Sequence, residues 1–165
     1  MAPGVDRCRS RVRSAGGAAP LSSAPLGPAA AVRVRASFAR QGAMATFGAE
    51  LTDVVSGRAA IALPIEPRLS QQDGFLHAGV VVALDSACGY AALTLMPDDA
   101  EVLTVEFKVN LLAPASGERL VAEGEVVRAG GTLTVCRGDA YAEQAAERGH
   151  VATMLATMVR RRAGP

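Results

Sequence analysis

The sequence predicts an α+β domain in which one antiparallel sheet of five to six strands wraps a single long apolar helix. Three observations carry this. Residues 78–95, AGVVVALDSACGYAALTL, hold 13 apolar side chains in 18, and a helix apolar all round is buried all round. Residues 103–111 alternate, with Leu103, Val105, Phe107, Val109 and Leu111 set against Thr104, Glu106, Lys108 and Asn110, the period of a half-buried strand. The reversals that follow are too short for crossovers, and there are too few helices to cover a parallel sheet, so the strands pair antiparallel.

From the N-terminus, residues 1–35 are rich in Pro, Gly, Ala, Ser and Arg without a sustained hydrophobic period. They read as a disordered tail, a mis-called start or a targeting segment, which leaves 36–165 as the domain. Ser37 is placed to cap a short helix through Phe38 and Met44 that ends near Gly48. Residues 51–55 and 58–63 flank Ser56-Gly57 as a hairpin, closed by Pro64 and Pro67. A polar loop, Ser70-Gln71-Gln72-Asp73-Gly74, precedes the long helix. At about 1.5 Å per residue that helix would be about 27 Å long, close to a bilayer's thickness. Asp85 in its middle makes it a core helix instead, and no membrane partner is expected. Beyond the alternating strand, Pro114, Ser116 and Gly117 mark a turn. Residues 119–129 and 132–142 form strands about Gly130-Gly131, and Arg148-Gly149 marks a last reversal before a strand at 151–159.

Composition narrows the function. A chain of 165 residues is one domain with at most a tail. With 4% aromatic residues and no Trp, a nucleic-acid surface built on stacked rings has little to build with. The net charge of +1 divides into +5 over residues 1–35 and −4 over the rest. Cys8, Cys88 and Cys136 form no CxxC or Cys/His cluster, so neither a disulfide framework nor a metal site is expected, and a reducing cytoplasm is the natural setting. No phosphate-binding glycine loop occurs, and no cofactor is expected.

The chemistry concentrates at the long helix. Burying Asp85 costs several kcal/mol, of the order of an unpaired polar or charged group, unless it is hydrogen-bonded, neutralised or facing a cavity. Two readings stay open: a structural carboxylate bonded to its neighbours, or a general base or nucleophile. His77-Ala78-Gly79 opens the same helix with free N–H groups, a ready oxyanion hole. The two ends lie about 12 Å apart at roughly 1.5 Å per residue, so a partner subunit would have to bring them together. His77 reads chiefly as a loop imidazole holding the helix start. Cys88 and Cys136 read as buried, inert thiols, and His150 receives no role. Phe75, Tyr90 and Phe107 fit either a pocket wall or the core. Arg160-Arg161-Arg162 reads as a solvated basic terminus, with contact to a substrate's phosphates as the alternative.

The order of elements and the string GFLHAGVVVALDSACGYAA resemble the hotdog-fold acyl-CoA thioesterases of the PaaI-like, phenylacetate-pathway type, over about residues 37–160. Asp85-Ser86-Ala87-Cys88-Gly89-Tyr90 matches the later half of that family's helix. The resemblance implies hydrolysis of an acyl-CoA by a homo-oligomer, a dimer or tetramer, with the site between subunits. Asp85 would activate water or attack the thioester, and the amides of Ala78 and Gly79 would bind the carbonyl oxygen. Gln71, three residues before Gly74, matches the family's polar loop residue, with Gln72 the other candidate. Thr104 matches a Ser or Thr beside the carboxylate, and His77, Gly74 and Ser86 would border the substrate.

Two departures stand out. Ala78 replaces the first glycine of the family's pair. Asp85 lies eight residues after His77, where the resemblance implies nine. One residue turns a helix by about 100°, so unless the helix start absorbs the difference, Ser86 takes the place of Asp85. The rival functions are a non-catalytic acyl-CoA binder and a hydratase or dehydratase in which His77 would be essential.

Overall fold

A computed structural model describes residues 25–162. Order begins earlier than composition suggests: α1 spans Pro28–Ala39, so the boundary expected at residue 36 falls inside a helix. Residues 1–24, the rest of the expected tail, lie outside the described residues. Val34, Arg33 and Phe38, the last edge-on against Tyr90, hold α1 in place. Val34 is fully buried, and Arg33 donates to the carbonyls of Leu93, Met96, Pro97 and Ala100 at 2.6–3.4 Å. Those carbonyls lie at and beyond the end of the central helix, where a cation is favoured. Ser37 is therefore an interior residue of α1 and not a cap. A second short helix, α2 (Gly42–Phe47), stops at Gly48, whose φ of 67° is the left-handed conformation that ends helices.

The hairpin of β1 (Glu50–Val55) and β2 (Arg58–Pro64) lies where its turn residues place it. The expected long helix is broken into α3 (Ala78–Val81) and α4 (Leu84–Leu93). The run Val80-Val81-Val82 is β-branched and a poor interior for a regular helix. Four strands follow: β3 (Ala100–Leu111), β4 (Arg119–Ala129), β5 (Leu133–Gln144) and β6 (Glu147–Arg162). The sheet order is β1-β2-β4-β5-β6-β3, antiparallel throughout. The last reversal is at Ala145-Ala146, not Arg148-Gly149. Arg148 and Gly149 pair inside β6 with Glu143 and Ala142, and Arg148 is held there by Glu123 at 2.6 Å.

Helix α4 lies across the sheet where a cross-strand pair, Gly124 and Gly138, removes two side chains. A Cβ on Gly124 would stand 2.3 Å from the carbonyl carbon of Ala87, and one on Gly138 2.6 Å from Leu84 Cδ1. The glycines thus set how closely helix and sheet approach. Ala87, Cys88, Ala91 and Ala92 on the helix, with Ile61, Leu120 and Met158 on the strands, are essentially inaccessible. Each of the larger three side chains contributes about 1.5–3 kcal/mol by burial.

The alternating strand departs from expectation. A bulge between Thr104 and Glu106 makes Val105 an extra residue and shifts the phase. Thr104 pairs with the buried Met158 and Phe107 with the buried Ala156, so both face the core side, whereas Leu103 falls on the other face. β3 is also a sheet edge, and its core-side Phe107 and Leu111 remain 41% and 54% exposed.

Candidate active site

The turns between α3 and α4 are tightened just ahead of Asp85. Ala83, Asp85 and Ser86 donate their amides to Val80, Val82 and Ala83, three residues back rather than four. Such tight turns advance about 120° per residue against about 100° in an α-helix. Asp85, not Ser86, meets β3.

Thr104 Oγ1 donates to Asp85 Oδ2 at 2.8 Å. The bulge makes this contact possible by turning Thr104 to the helix side. The second carboxylate oxygen, Oδ1, is buried and has no hydrogen-bond partner among the described residues. Burial pushes the Asp85 carboxyl above the usual carboxylate range, and the bond from Thr104 opposes this in part. A carboxylate so placed is basic and free to accept one further proton or hydrogen bond. Asp85, Ser86 and Thr104 line a cavity of about 520 Å³, within the range of small-molecule sites.

The loop residues assemble elsewhere. The polar loop closes on Gln71, whose backbone N–H donates to Phe75 O at 2.8 Å and whose carbonyl accepts from Gly74 N–H at 3.0 Å. Gly74 sits at φ 85°, where only glycine is unstrained. The Gln71 side chain accepts from the Asp73 amide at 2.9 Å, and Gln72 donates to Asp73 Oδ2 at 3.3 Å. His77 caps α3: its Nδ1 accepts the Gly79 N–H at 2.9 Å. Gly79 is therefore not a free oxyanion donor, because its hydrogen is already taken. The Ala78 N–H has no acceptor among the described residues. Gln71, His77 and Ala78 border a second cavity of about 600 Å³, which shares no lining residue with the first. Within one chain the expected site is split into two halves.

Other candidates fall outside both halves. Cys88 and Cys136 are buried; burial, above all, raises both thiols, that of Cys136 to about 12. His150 stacks on Tyr141 and meets Asp139 at 3.0 Å on the sheet. Among the described residues no group of three His, Cys, Asp or Glu side chains is arranged for a metal, and no helix is long and apolar enough to cross a membrane. The structure adds polar residues to the Asp85 cavity that the sequence did not single out, Arg40, Gln41, Asp98, Asp99 and Glu101 among them. Gln41 reaches Ser86 and Tyr90 across 45 and 49 residues, and no local pattern announces such a contact.

Residues 73–148 match the family model of the thioesterase superfamily. A protein of Saccharolobus solfataricus named as an esterase is 33% identical over 87 residues, which cover 52% of this chain and only 61% of that one. The 1,4-dihydroxy-2-naphthoyl-CoA hydrolase of Listeria monocytogenes is 30% identical over 95 residues, 57% of this chain and 77% of that one. Among solved structures, a thioesterase family protein from Silicibacter pomeroyi is 52% identical, with a TM-score of 0.79 over 81% of this chain and 99% of that one. The E. coli PaaI protein of the phenylacetic acid degradation operon, at 18% identity, covers 84% of this chain and 96% of its own with a TM-score of 0.73, a likeness of fold. Sheet order, the buried helix and these likenesses agree: the chain belongs to the thioesterase superfamily and has its hotdog fold.

Proposed function

We propose that the protein hydrolyses an acyl-CoA to the free acid and CoA, at a site completed by a second copy of the chain. The observation that carries this is Asp85, bonded by Thr104 on one oxygen, unpartnered on the other, and opening on a cavity of about 520 Å³. In its ionised form the carboxylate takes a proton from water as that water attacks the thioester carbonyl, or attacks the carbonyl itself. The carbonyl oxygen becomes an oxyanion, and the Ala78 amide of the second copy donates to it. The carbon–sulfur bond then breaks and the CoA thiolate leaves, taking the proton that Asp85 took from water; where Asp85 has itself attacked, the thiolate takes a proton from solvent and a water then hydrolyses the mixed anhydride to free acid and the Asp85 carboxylate. A general base contributes typically about 10²–10⁴ in rate and one oxyanion donor about 10²–10³.

The split site supports a homo-oligomer, and so does the apolar edge. β3 offers twelve residues of strand with one side unpaired and Phe107 and Leu111 exposed, a surface that soluble proteins rarely leave open. A dimer is the minimum this reading needs, and a tetramer is compatible with it. Arg160–Arg162 end β6 as an exposed basic terminus opposite Ala100–Val102. Two buried, unoxidised thiols suit a cytoplasmic setting, and the reaction as written needs no cofactor. His77, with Nδ1 occupied by the Gly79 amide, suits a helix cap better than the acid–base residue of a hydratase.

Thiol release from a panel of acyl-CoAs, measured on the native chain and on Asp85→Asn, tests the proposal. Turnover by the native chain and a loss of about 10² or more in the variant are expected. Acyl-CoA binding without thiol release by the native chain would make it a binding module.

A further inference from the structure

The Asp85 cavity is lined by polar groups on several sides, and the segment joining the N-terminal helices supplies one of them, Gln41. Along α4 the cavity is bordered by Asp85, Ser86, Gly89, Tyr90 and Leu93, one face of a helix. Gly89 is open space: a Cβ there would meet only Val102 Cγ1, at 3.9 Å. Glycine weakens a helix interior, yet here its missing side chain gives the cavity depth. Across from this face stands Gln41, between α1 and α2. Its main chain is pinned, the amide donating to Phe38 O at 2.9 Å and the carbonyl accepting from Met44 N at 3.0 Å and Ala45 N at 3.3 Å.

The Gln41 side chain is held less firmly. Nε2 donates to Ser86 Oγ at 3.3 Å and Oε1 accepts from the Tyr90 hydroxyl at 3.3 Å. Both are longer than the usual 2.7–3.2 Å. Gln41, Ser86 and Tyr90 thus form a polar cluster on the cavity wall, joined by long bonds, where a plain hydrocarbon acyl chain would call for apolar neighbours. An oxygen on the acyl group can exchange these long bonds for shorter ones, since an amide offers both donors and an acceptor. Gln41 lies outside the residues 73–148 shared with the family model, whereas Ser86 and Tyr90 lie within them.

Resting on the thioesterase reading, we propose that Gln41 is a specificity residue that recognises a hydroxyl or keto oxygen on the acyl group, with Ser86 and Tyr90 holding it in place. From Asp85 to Tyr90 is about 7 Å along the helix at roughly 1.5 Å per residue, which places the recognised oxygen four to six carbons along the chain.

The test compares kcat/KM for hexanoyl-CoA with that for hexanoyl-CoA hydroxylated at carbon 4, 5 or 6, or bearing a keto oxygen at carbon 5. For the native chain at least one oxygenated member is expected to exceed the plain one about tenfold, the worth of one well-made hydrogen bond. Gln41→Met, close in shape, brings that ratio to within about twofold of one, and Tyr90→Phe lowers it part of the way. A folding defect slows both members of a pair together and leaves the ratio as it was. A native ratio near one for every pair overturns the proposal while leaving hydrolysis intact, and so does a native-like ratio in Gln41→Met. If the native chain turns over no member of the panel, the thioesterase reading fails, and the role of Gln41 with it.

Discussion

Substituting Gly124 by alanine tests whether the contact between helix and sheet sets the geometry of the carboxylate. The added Cβ would lie 2.3 Å from the carbonyl carbon of Ala87, 2.4 Å from its oxygen and 2.5 Å from Cys88 N. All three are backbone atoms of α4, so no side chain can swing aside. Carbon atoms rest at about 3.5–4.0 Å, and α4 would have to withdraw from β4 by about 1 Å or more. Asp85 rides on α4, whereas Thr104 belongs to β3 at the sheet edge, so their 2.8 Å bond would open beyond hydrogen-bonding range. Overpacking costs typically about 1–3 kcal/mol, and a backbone clash belongs at the upper end. For a chain of this size that lowers the melting temperature by about 6–12 °C. A misplacement of about 1 Å costs about 10² in rate. Thermal unfolding and thiol release are read together, with Gly131→Ala as the control because no atom lies within 4 Å of a Cβ there. A Gly124→Ala chain with native stability would refute the packing argument. One that is destabilised yet keeps the native rate would show that this contact does not position Asp85.

Two further outcomes follow from the same geometry. Thr104→Val removes the bond that holds the Asp85 carboxyl down, so burial drives the carboxyl further up. Hydrolysis needs the ionised form, so the acidic limb of kcat/KM moves to higher pH; a limb that stays in place or moves to lower pH would contradict the assignment of the base. The sign for folding agrees: a carboxyl raised on folding favours the native state at low pH, and that contribution is lost as the pH rises from the ordinary carboxylate value through the raised one. Phe107→Asp places a charge on the exposed, core-side face of β3. Sedimentation is expected to show a dimer or larger assembly for the native chain and a monomer for the variant, with hydrolysis lost because each chain holds half a site. A native monomer with full activity would remove the need for a second copy.

The reliable signals in the sequence were those of local backbone. The turns at Ser56-Gly57 and Gly130-Gly131, the stop at Gly48 and the apolar run around Asp85 all report what a few neighbouring residues can do, and all have counterparts in the fold. Asp85 itself was legible because a carboxylate in a buried segment is costly wherever the segment packs. α1 was not legible: Val34, Phe38 and Arg33 anchor it, and Arg33 draws its worth from carbonyls some 60 residues away.

The sequence by itself determined the strands, the apolar helix between them, their order and the carboxylate, since periodicity and propensity act within a turn or a strand. Tertiary structure alone decided the phase of β3 after its bulge, the tightened turns ahead of Asp85, the capture of the Gly79 amide by His77, the arrival of Gln41 and the separation of the Asp85 and Gln71 cavities. Each depends on contacts between residues distant in the chain. Such contacts cost chain entropy to form and are stabilised only by the packed whole, so no window of sequence contains them.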